Sequence, residues 1–385
     1  MADGRYARLE QIEWWRSDLV RHATALVAGC GALGNEVLKN LLLLGWGKVI
    51  VIDLDVLELS NLSRSILFRT EDIGQSKAHV MAKRAAEINA DCQVIGLHGD
   101  LRLMVSAGMV ARVDIVFGCL DNIAARLALN DLIGQSKCLW IDGGLSIWEG
   151  TINLFAPGQG ACYACGLTAE DLYEINLRRS CPAYAARAYA AEGVPTTPTL
   201  SSIVGAYMVQ LALRWLHERH APSGFPVSAQ LRFDTAHDRF WKLGLPENPD
   251  CALHPAALAN VHKDVIHFTE TWAVNFQRLR QWLGTSALTV YLPVSLLVAT
   301  ECPECRFREE MAHVAIAEET IVCAHCSASV IPSLTNHLLG EEDFLHLSPA
   351  DMGFPPWTWV TVVNAGTQEI VFELASVSPM FTACV

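Results

Sequence analysis

The segment from Leu26 to Arg64 constrains the fold more than any other. It reads Leu26-Val-Ala-Gly29-Cys-Gly31-Ala-Leu-Gly34, an apolar helical pattern to Leu44, Val49-Ile-Val-Ile-Asp53-Leu-Asp55, and then Ser60-Asn61-Leu62-Ser63-Arg64. A short apolar run ends in a glycine-rich turn and opens into a helix; a second apolar run ends in an acid. This is the layout of a nucleotide-binding βαβ unit. Gly29 and Gly31 allow a tight turn and close backbone approach to phosphate. A helix opening near Leu33 aims its unpaired N–H groups and positive dipole end at that phosphate. Asp53 falls nineteen residues after Gly34, where a carboxylate can accept from ribose hydroxyls. The glycines alone would also suit a helix packed tightly on a strand; the flanking strands and the acid favour a nucleotide.

The same alternation continues. Strands are expected at Leu26–Ala28, Val49–Asp53, Gln93–His98, Val113–Phe117 and Cys138–Asp142, with helices over Leu33–Leu44, Gln75–Asn89 and around Asn122–Ile133. Apolar strands alternating with helices predict a doubly wound, mostly parallel α/β sheet, with ligands at the carboxyl ends of its strands. Gly29, Asp53 and Asp121 each lie at or just past such an end and should share one crevice. Residues 5–22 read as a helix with Ile12, Trp15 and Leu19 on one side. After Asp142-Gly143-Gly144 the pattern becomes antiparallel, with strands at Ile147–Phe155, Gln230–Asp234 and Arg239–Lys242 and a long helix from Thr199 to His217. A later amphipathic helix is expected around Glu270–Leu283. The β patterns Thr358–Val363 and Glu369–Leu374, separated by Asn364-Ala-Gly366-Thr367, suggest a hairpin.

The 385 residues suffice for one large and one smaller domain, and a hydrophobic content of 51% supports a sizeable core. The net charge of −13 argues against a general nucleic-acid binder. No signal-peptide pattern opens the chain, and Leu200–Leu216 carries Gln210 and Arg214, which makes it a core helix and not a membrane span. Three CxxC pairs among thirteen cysteines favour zinc over disulfides and a reducing cytoplasm. Cys302-Pro-Glu-Cys305 and Cys323-Ala-His-Cys326 have zinc-ribbon spacing and predict a closed structural site, with a redox dithiol as the alternative. Cys30, Cys92, Cys119 and Cys138 read as core residues.

Beyond Asp55 the sequence becomes more specific. Asp53-x-Asp55, Ser60-Asn61-Leu62-x-Arg64, Lys77 and Cys119-Leu120-Asp121-Asn122 resemble the adenylating core of ubiquitin-activating enzymes, whose bacterial members activate the sulfur carriers of molybdopterin and thiamine synthesis. The resemblance covers residues 1 to about 254 and implies a Rossmann-like adenylation domain that uses ATP and Mg²⁺. It assigns Gly29, Gly31, Gly34, Asp53, Asp55, Asn61, Arg64, Lys77 and Asp121 to the nucleotide site, with Asp53 on the ribose, Asn61 on the phosphates and Asp121 on Mg²⁺. In Arg5-Tyr6-Ala7-Arg8 it implies that Arg8 reaches the ATP site of a partner subunit, hence a homodimer. It also implies that Cys162 and Cys165 pair with the late Cys251-Ala-Leu-His254 as a second structural zinc site. The plainer alternatives are a surface ion pair for Lys77 and a helix N-cap for Asp121.

Cys181 follows Arg178-Arg179-Ser180 and precedes Pro182 and an alanine-rich run. Proline is favoured at the first helical position, so Cys181 would sit at the N-cap, where the dipole and two arginines favour the thiolate. Such a thiolate could take an acyl group as a thioester. The resemblance places an acceptor cysteine in this crossover, about 168–194, although more residues precede the Pro195–Pro198 restart than in short family members. The expected division is 1–254 for adenylation and 255–385 for an extension with a zinc ribbon (302–326) and a small α/β or β unit (355–385). The expected activity is activation of a ubiquitin-like protein by C-terminal adenylation and thioester formation, with transfer to a conjugating enzyme, as in bacterial conjugation operons, some linked to phage defence. The alternatives are an adenylyltransferase for a sulfur carrier, a nicotinamide-dependent oxidoreductase and a non-catalytic scaffold.

Overall fold

The computed structural model describes the chain except residues 1–3, 135, 137, 157–159, 169, 172–194, 219–226, 252, 255–259, 316–320, 365–368 and 377–385. Its contacts divide the chain into two compact units. One comprises Met1–Leu101, Val110–Leu167 and Glu192–Ala257; the other comprises Arg102–Met109, Thr168–Ala191 and Leu258–Val385.

The order of elements in the first stretch is α1 (Ser17–His22), β1 (Thr24–Ala28), α2 (Ala32–Leu44), β2 (Lys48–Asp53), α3 (Lys77–Ile88) and β3 (Gln93–His98). Two single-turn helices follow, α4 (Leu101–Met104) and α5 (Ala107–Val110). Then come β4 (Ile115–Gly118), α6 (Ile123–Gly134), β5 (Leu139–Leu145), β6 (Glu149–Phe155), α7 (Pro198–Glu218), β7 (Ala229–Asp234) and β8 (Arg239–Gly244). The eight strands form one sheet in the order β3-β2-β1-β4-β5-β6-β7-β8. The first five are parallel and the last three antiparallel. Every residue of β4 is buried, and so are all but the ends of β1 and β2, as expected of strands covered on both faces. β6 and β7 alternate buried and half-exposed, as expected of strands covered on one. The expected mostly parallel α/β fold is therefore present, and its strand order reverses direction between β1 and β4. That reversal opens a crevice at the carboxyl ends of the strands.

One expected element is broken. Residues 5–22 form a short 3₁₀ turn at Leu9–Gln11 and the separate α1, with Arg16 extended between them. Trp14 and Trp15 both pack on His217 at the end of α7, with ring centroids 5.1 and 5.5 Å away. A continuous helix would point adjacent side chains about 100° apart, so both indoles could not reach one imidazole. Ile12 is consequently exposed, whereas Trp15 and Val20 are buried.

The second unit contains β9 (Val261–His267), α8 (Trp272–Leu283), β10 (Leu288–Glu301), β11 (Arg308–Ala315), β12 (Ile331–Leu338), β13 (Trp359–Asn364) and β14 (Glu369–Ala375). Its sheet runs β11-β10-β13-β14-β9, with β12 also paired to β10. The expected β13 and β14 are present and antiparallel, but they belong to this larger sheet: β14 also pairs in parallel with β9. α8 lays Trp272, Phe276 and Leu279 into a core with Phe372, Leu374 and Met352. The fourteen-residue β10 pairs with β13 at one end, with β11 at the other, and with β12 at both. No helix among the described residues is long and apolar enough to cross a membrane.

The turn between β1 and α2 tests this packing. A Cβ on Gly34 would collide with the backbone carbonyl of Gly29, whereas one on Gly31 would meet nothing within 4 Å. Gly34→Ala should lower unfolding stability by about 3 kcal/mol, and Gly31→Ala by less than about 1 kcal/mol, both read by denaturant titration.

Candidate active site and metal centres

The glycine turn is assembled from three strand ends. Gly29 adopts φ +99°, and a Cβ there would strike the carbonyl of Cys119, so the loop after β1 touches the loop after β4. Gly29 N donates to Ile52 O at 2.8 Å, and Cys119 N to Ala28 O at 2.7 Å. Asp53 closes the third side: its Oδ2 accepts from Cys30 N at 2.6 Å and its Oδ1 from Asp55 N at 2.8 Å. Burial pushes the Asp53 carboxyl up while these backbone amides pull it down. Gly31, the N-cap of α2, leaves open space where its side chain would be. That gap beside a helix N-terminus fits a phosphate.

Lys77 is the first residue of α3 and is 9% exposed. A cation at a helix N-terminus opposes the dipole; here Asp55 Oδ2 holds Nζ at 2.7 Å. The Lys77 side chain is largely buried, whereas that of its partner Asp55 is half exposed. Asn61 is buried in a 3₁₀ turn over Leu59–Ser63, and its Oδ1 accepts from Glu58 N at 3.0 Å. Arg64 closes that turn and donates to Ser60 O at 3.2 Å. Arg8 is exposed and, among the described residues, has no hydrogen-bond or ion-pair partner. Asp121 is exposed and does not cap α6; that role falls to Asn122, whose Oδ1 accepts from Ala125 N at 2.8 Å. Asn122 Nδ2 also donates to Asp121 Oδ1 at 3.1 Å. Cys181 lies outside the described residues.

Three contributors escaped the sequence reading. Asn35, wholly buried on α2, donates to Cys30 O and Gly31 O at 3.0 and 3.1 Å and accepts from Leu67 N at 3.0 Å. It thereby ties the glycine turn to the segment that follows Arg64. Its signal was a polar residue inside an apolar helical run. Arg126 on α6 and Asp142 in the middle of β5 form a buried pair, with Arg126 Nε 3.1 Å from each carboxylate oxygen. Burial pushes Asp142 up and Arg126 pulls it back, while Arg126 is held charged by Asp142 despite burial. Among other thiols, Cys30, Cys92 and Cys138 are buried as expected, whereas Cys119 is half-buried. Burial pushes Cys30 and Cys119 up, and Cys92 up to about 11, so these thiols stay protonated at neutral pH.

Two clusters have the donors and spacing of zinc sites. Cys162, Cys165, Cys251 and His254 place their ligand atoms within 4.8 Å of one another, as do Cys302, Cys305, Cys323 and Cys326. Sulfurs bound to a tetrahedral zinc lie about 3.8 Å apart. In the first cluster Cys162 Sγ is 3.7 Å from Cys165 Sγ and 3.9 Å from Cys251 Sγ, and Cys165 Sγ is 3.4 Å from His254 Nδ1. Asn130 on α6 joins its halves, accepting from Tyr163 N at 2.9 Å and donating to Leu253 O at 3.2 Å. In the second, Cys302–Cys326 and Cys305–Cys323 are 3.4 and 3.6 Å apart. Its two knuckles repeat one another. Arg306 and Ser327 have φ +61° and +59°, and Cys302 N and Cys323 N donate to Phe307 O and Ala328 O at 2.9 and 2.8 Å. Phe307 stacks on His325 at 4.8 Å across them.

A doubly wound sheet with a glycine turn, a braced acid and a lysine beside it has the layout of a nucleotide-binding α/β fold. The chain belongs to the ThiF family, which residues 7–253 match. Among curated relatives, it is similar to ubiquitin-like modifier-activating enzyme 5 of Drosophila persimilis, 31% identical over 252 residues, covering 60% of this chain and 61% of that protein. The Drosophila melanogaster protein of the same name is 27% identical over 340 residues, covering 78% and 80%. The chain thus spans about three fifths of the first of these relatives. Among solved structures, Escherichia coli MccB with ATP superposes with TM-score 0.52 at 20% identity, covering 66% of this chain and 74% of MccB. These likenesses bear out the expected resemblance and fold.

Asn35→Leu should lower stability by about 1–3 kcal/mol, because the Leu67 N–H is then left buried without an acceptor. Denaturant unfolding monitored by circular dichroism checks this.

Proposed function

We propose that the chain is an ATP-dependent activating enzyme for a ubiquitin-like protein. The carboxylate of the protein's C-terminus attacks the α-phosphorus of ATP, and the bond to pyrophosphate breaks. A thiolate at Cys181 then attacks the acyl carbon, AMP leaves, and a thioester remains for delivery to a conjugating enzyme. The observation that carries the reading is the largely buried Lys77 side chain, set at a helix N-terminus in a member of the ThiF family whose glycine turn is open at Gly31.

The attacking carboxylate is already ionised at neutral pH, so the site needs no general base. The obstacle is charge: one anion approaches another. Lys77 and Arg64 supply fixed positive charge, with Arg8 arriving from the partner of a homodimer; its exposed, unpaired side chain suits that role. Asn61 has its oxygen occupied by Glu58 N, which leaves its amide N–H groups for phosphate. Asp53 keeps a second lone pair on each oxygen for ribose hydroxyls, and Asp55 holds Lys77 in place. Asp121, exposed and free of capping duty, suits Mg²⁺, which when bound would neutralise phosphate charge. The high pKa of the buried non-ligand thiols supports Cys181 as the acceptor. The extension 255–385 would recruit the carrier or the conjugating enzyme, and the abundance of free thiols fits a reducing cytoplasm. A sulfur-carrier adenylyltransferase is the second reading; it uses the same site and leaves Cys181 idle.

The test is ATP–pyrophosphate exchange driven by a ubiquitin-like protein encoded beside the gene. Arg64→Ala should lower exchange at least 100-fold, on the scale of losing one transition-state contact. Cys181→Ala should keep exchange and lose the thiol-sensitive adduct. Exchange unchanged by Arg64→Ala refutes the site, and an adduct that survives Cys181→Ala refutes the acceptor. Metal analysis of the purified chain should return about two zinc atoms, and Cys305→Ser should remove one of them.

A further inference from the structure

We propose that Arg126 and Asp142 form a positioning device that holds the Asp121 loop in its working place. The proposal rests on the reading of Asp121 as part of the nucleotide site. Only Cys119–Asn122 separate the end of β4 from the start of α6, and Asp121 is exposed on that loop. The loop is gripped from behind. Arg126 Nη2 donates to Leu120 O at 2.6 Å and to Gly143 O at 3.0 Å, while Nε lies 3.1 Å from both oxygens of Asp142. One guanidinium therefore joins the carbonyl that precedes Asp121 to the middle of the neighbouring strand β5, where its pairing with β4 ends.

The anchor is deep. The Asp142 side chain is 2% exposed and that of Arg126 13%. Asn153 Nδ2 approaches Asp142 Oδ2 at 3.5 Å, and Asn153 Oδ1 accepts from Gln230 Nε2 at 2.9 Å, so the chain of contacts continues across β6 into β7. Gly118 makes room for it: a Cβ there would lie 2.5 Å from Asp142 Oδ1. Stability alone does not call for such a pair, since well-packed apolar residues commonly serve as well in its place. What a forked, buried guanidinium adds is direction: its donors are fixed in one plane and hold both the carboxylate and the two carbonyls in register. A group that must meet a metal and phosphate within about 0.5 Å needs such support. Arg126 and Asp142 touch neither substrate nor metal in this scheme; they act through Asp121.

Two full-length variants test the device against Asp121→Asn. Asp142→Asn keeps shape and an acceptor oxygen but loses the charge; Arg126→Lys keeps the charge but loses the fork. ATP binding is measured by calorimetry with Mg²⁺ and with EDTA, and backbone amide exchange is followed over residues 119–122. Both variants should cut the Mg²⁺-dependent gain in ATP affinity tenfold or more and speed exchange in the loop, with affinity in EDTA within twofold of wild type and zinc content retained. Wild-type Mg²⁺ dependence together with wild-type loop exchange in both variants overturns the proposal. If Asp121→Asn leaves the Mg²⁺ gain intact while both pair variants speed loop exchange, the reading of Asp121 fails and the positioning device stands. If Asp142→Asn does not fold, Arg126→Lys decides alone; loss of cooperative melting in both makes the pair a stability element and overturns the proposal.

Discussion

The contact between two loops, with Gly29 lying against the carbonyl of Cys119, is the constraint from which the site follows. It brings the ends of β1 and β4 as close as backbone allows, at the point where the sheet changes direction. Asp53 then fastens the end of β2 to the same turn through the Cys30 amide. Once three strand ends are joined, residues distant in sequence have no independent freedom to drift. Asn35 extends the arrangement to Leu67, which brings the Asn61–Arg64 segment under the same control. The site is thus held by backbone carbonyls, amides and one carboxylate, and the long cations need only be pointed.

Much of this was legible from the chain. The parallel half of the sheet showed as uninterrupted apolar runs, because strands covered on both faces carry no polar alternation. The shift to antiparallel strands after Asp142 showed because β6 and β7 have one half-exposed face. The CxxC pairs of both clusters were readable because their spacing is local. What stayed hidden depends on pairing. Arg126 and Asp142 stand sixteen residues apart and meet only through the adjacency of β4 and β5. Asn122 rather than Asp121 caps α6, a choice between neighbours of nearly equal propensity. The N-terminal helix failed because periodicity cannot foresee that two adjacent tryptophans share His217. β9, β11 and β12 were missed because they are polar and half-buried or exposed and lack a strong period-two signal, and β10 because its length spans two environments.

The two cysteine-rich clusters are built differently. In the first, ligands come from segments far apart, Cys162–Cys165 and Cys251–His254, and Asn130 spans them with a donor and an acceptor. The cluster therefore closes a loop of the first unit. In the second, two similar knuckles face each other, each with one residue in a left-handed conformation and one backbone hydrogen bond across its turn. Its ligand set is symmetric because its two halves are built alike.

β10 is the feature with the widest reach. The strand that pairs with β13 beside the Trp272 core runs on to Glu301, and Cys302 follows it directly. Its register shifts between Leu297 and Ala299 against both β11 and β12, and between Tyr291 and Leu296 against β12. A ribbon on a flexible tether would search a wide volume and surrender that freedom on capturing a partner. Mounted as the outer end of a continuous beam, this one presents its surface in a fixed attitude to its own sheet, and any protein that grips it inherits that orientation at little entropic cost.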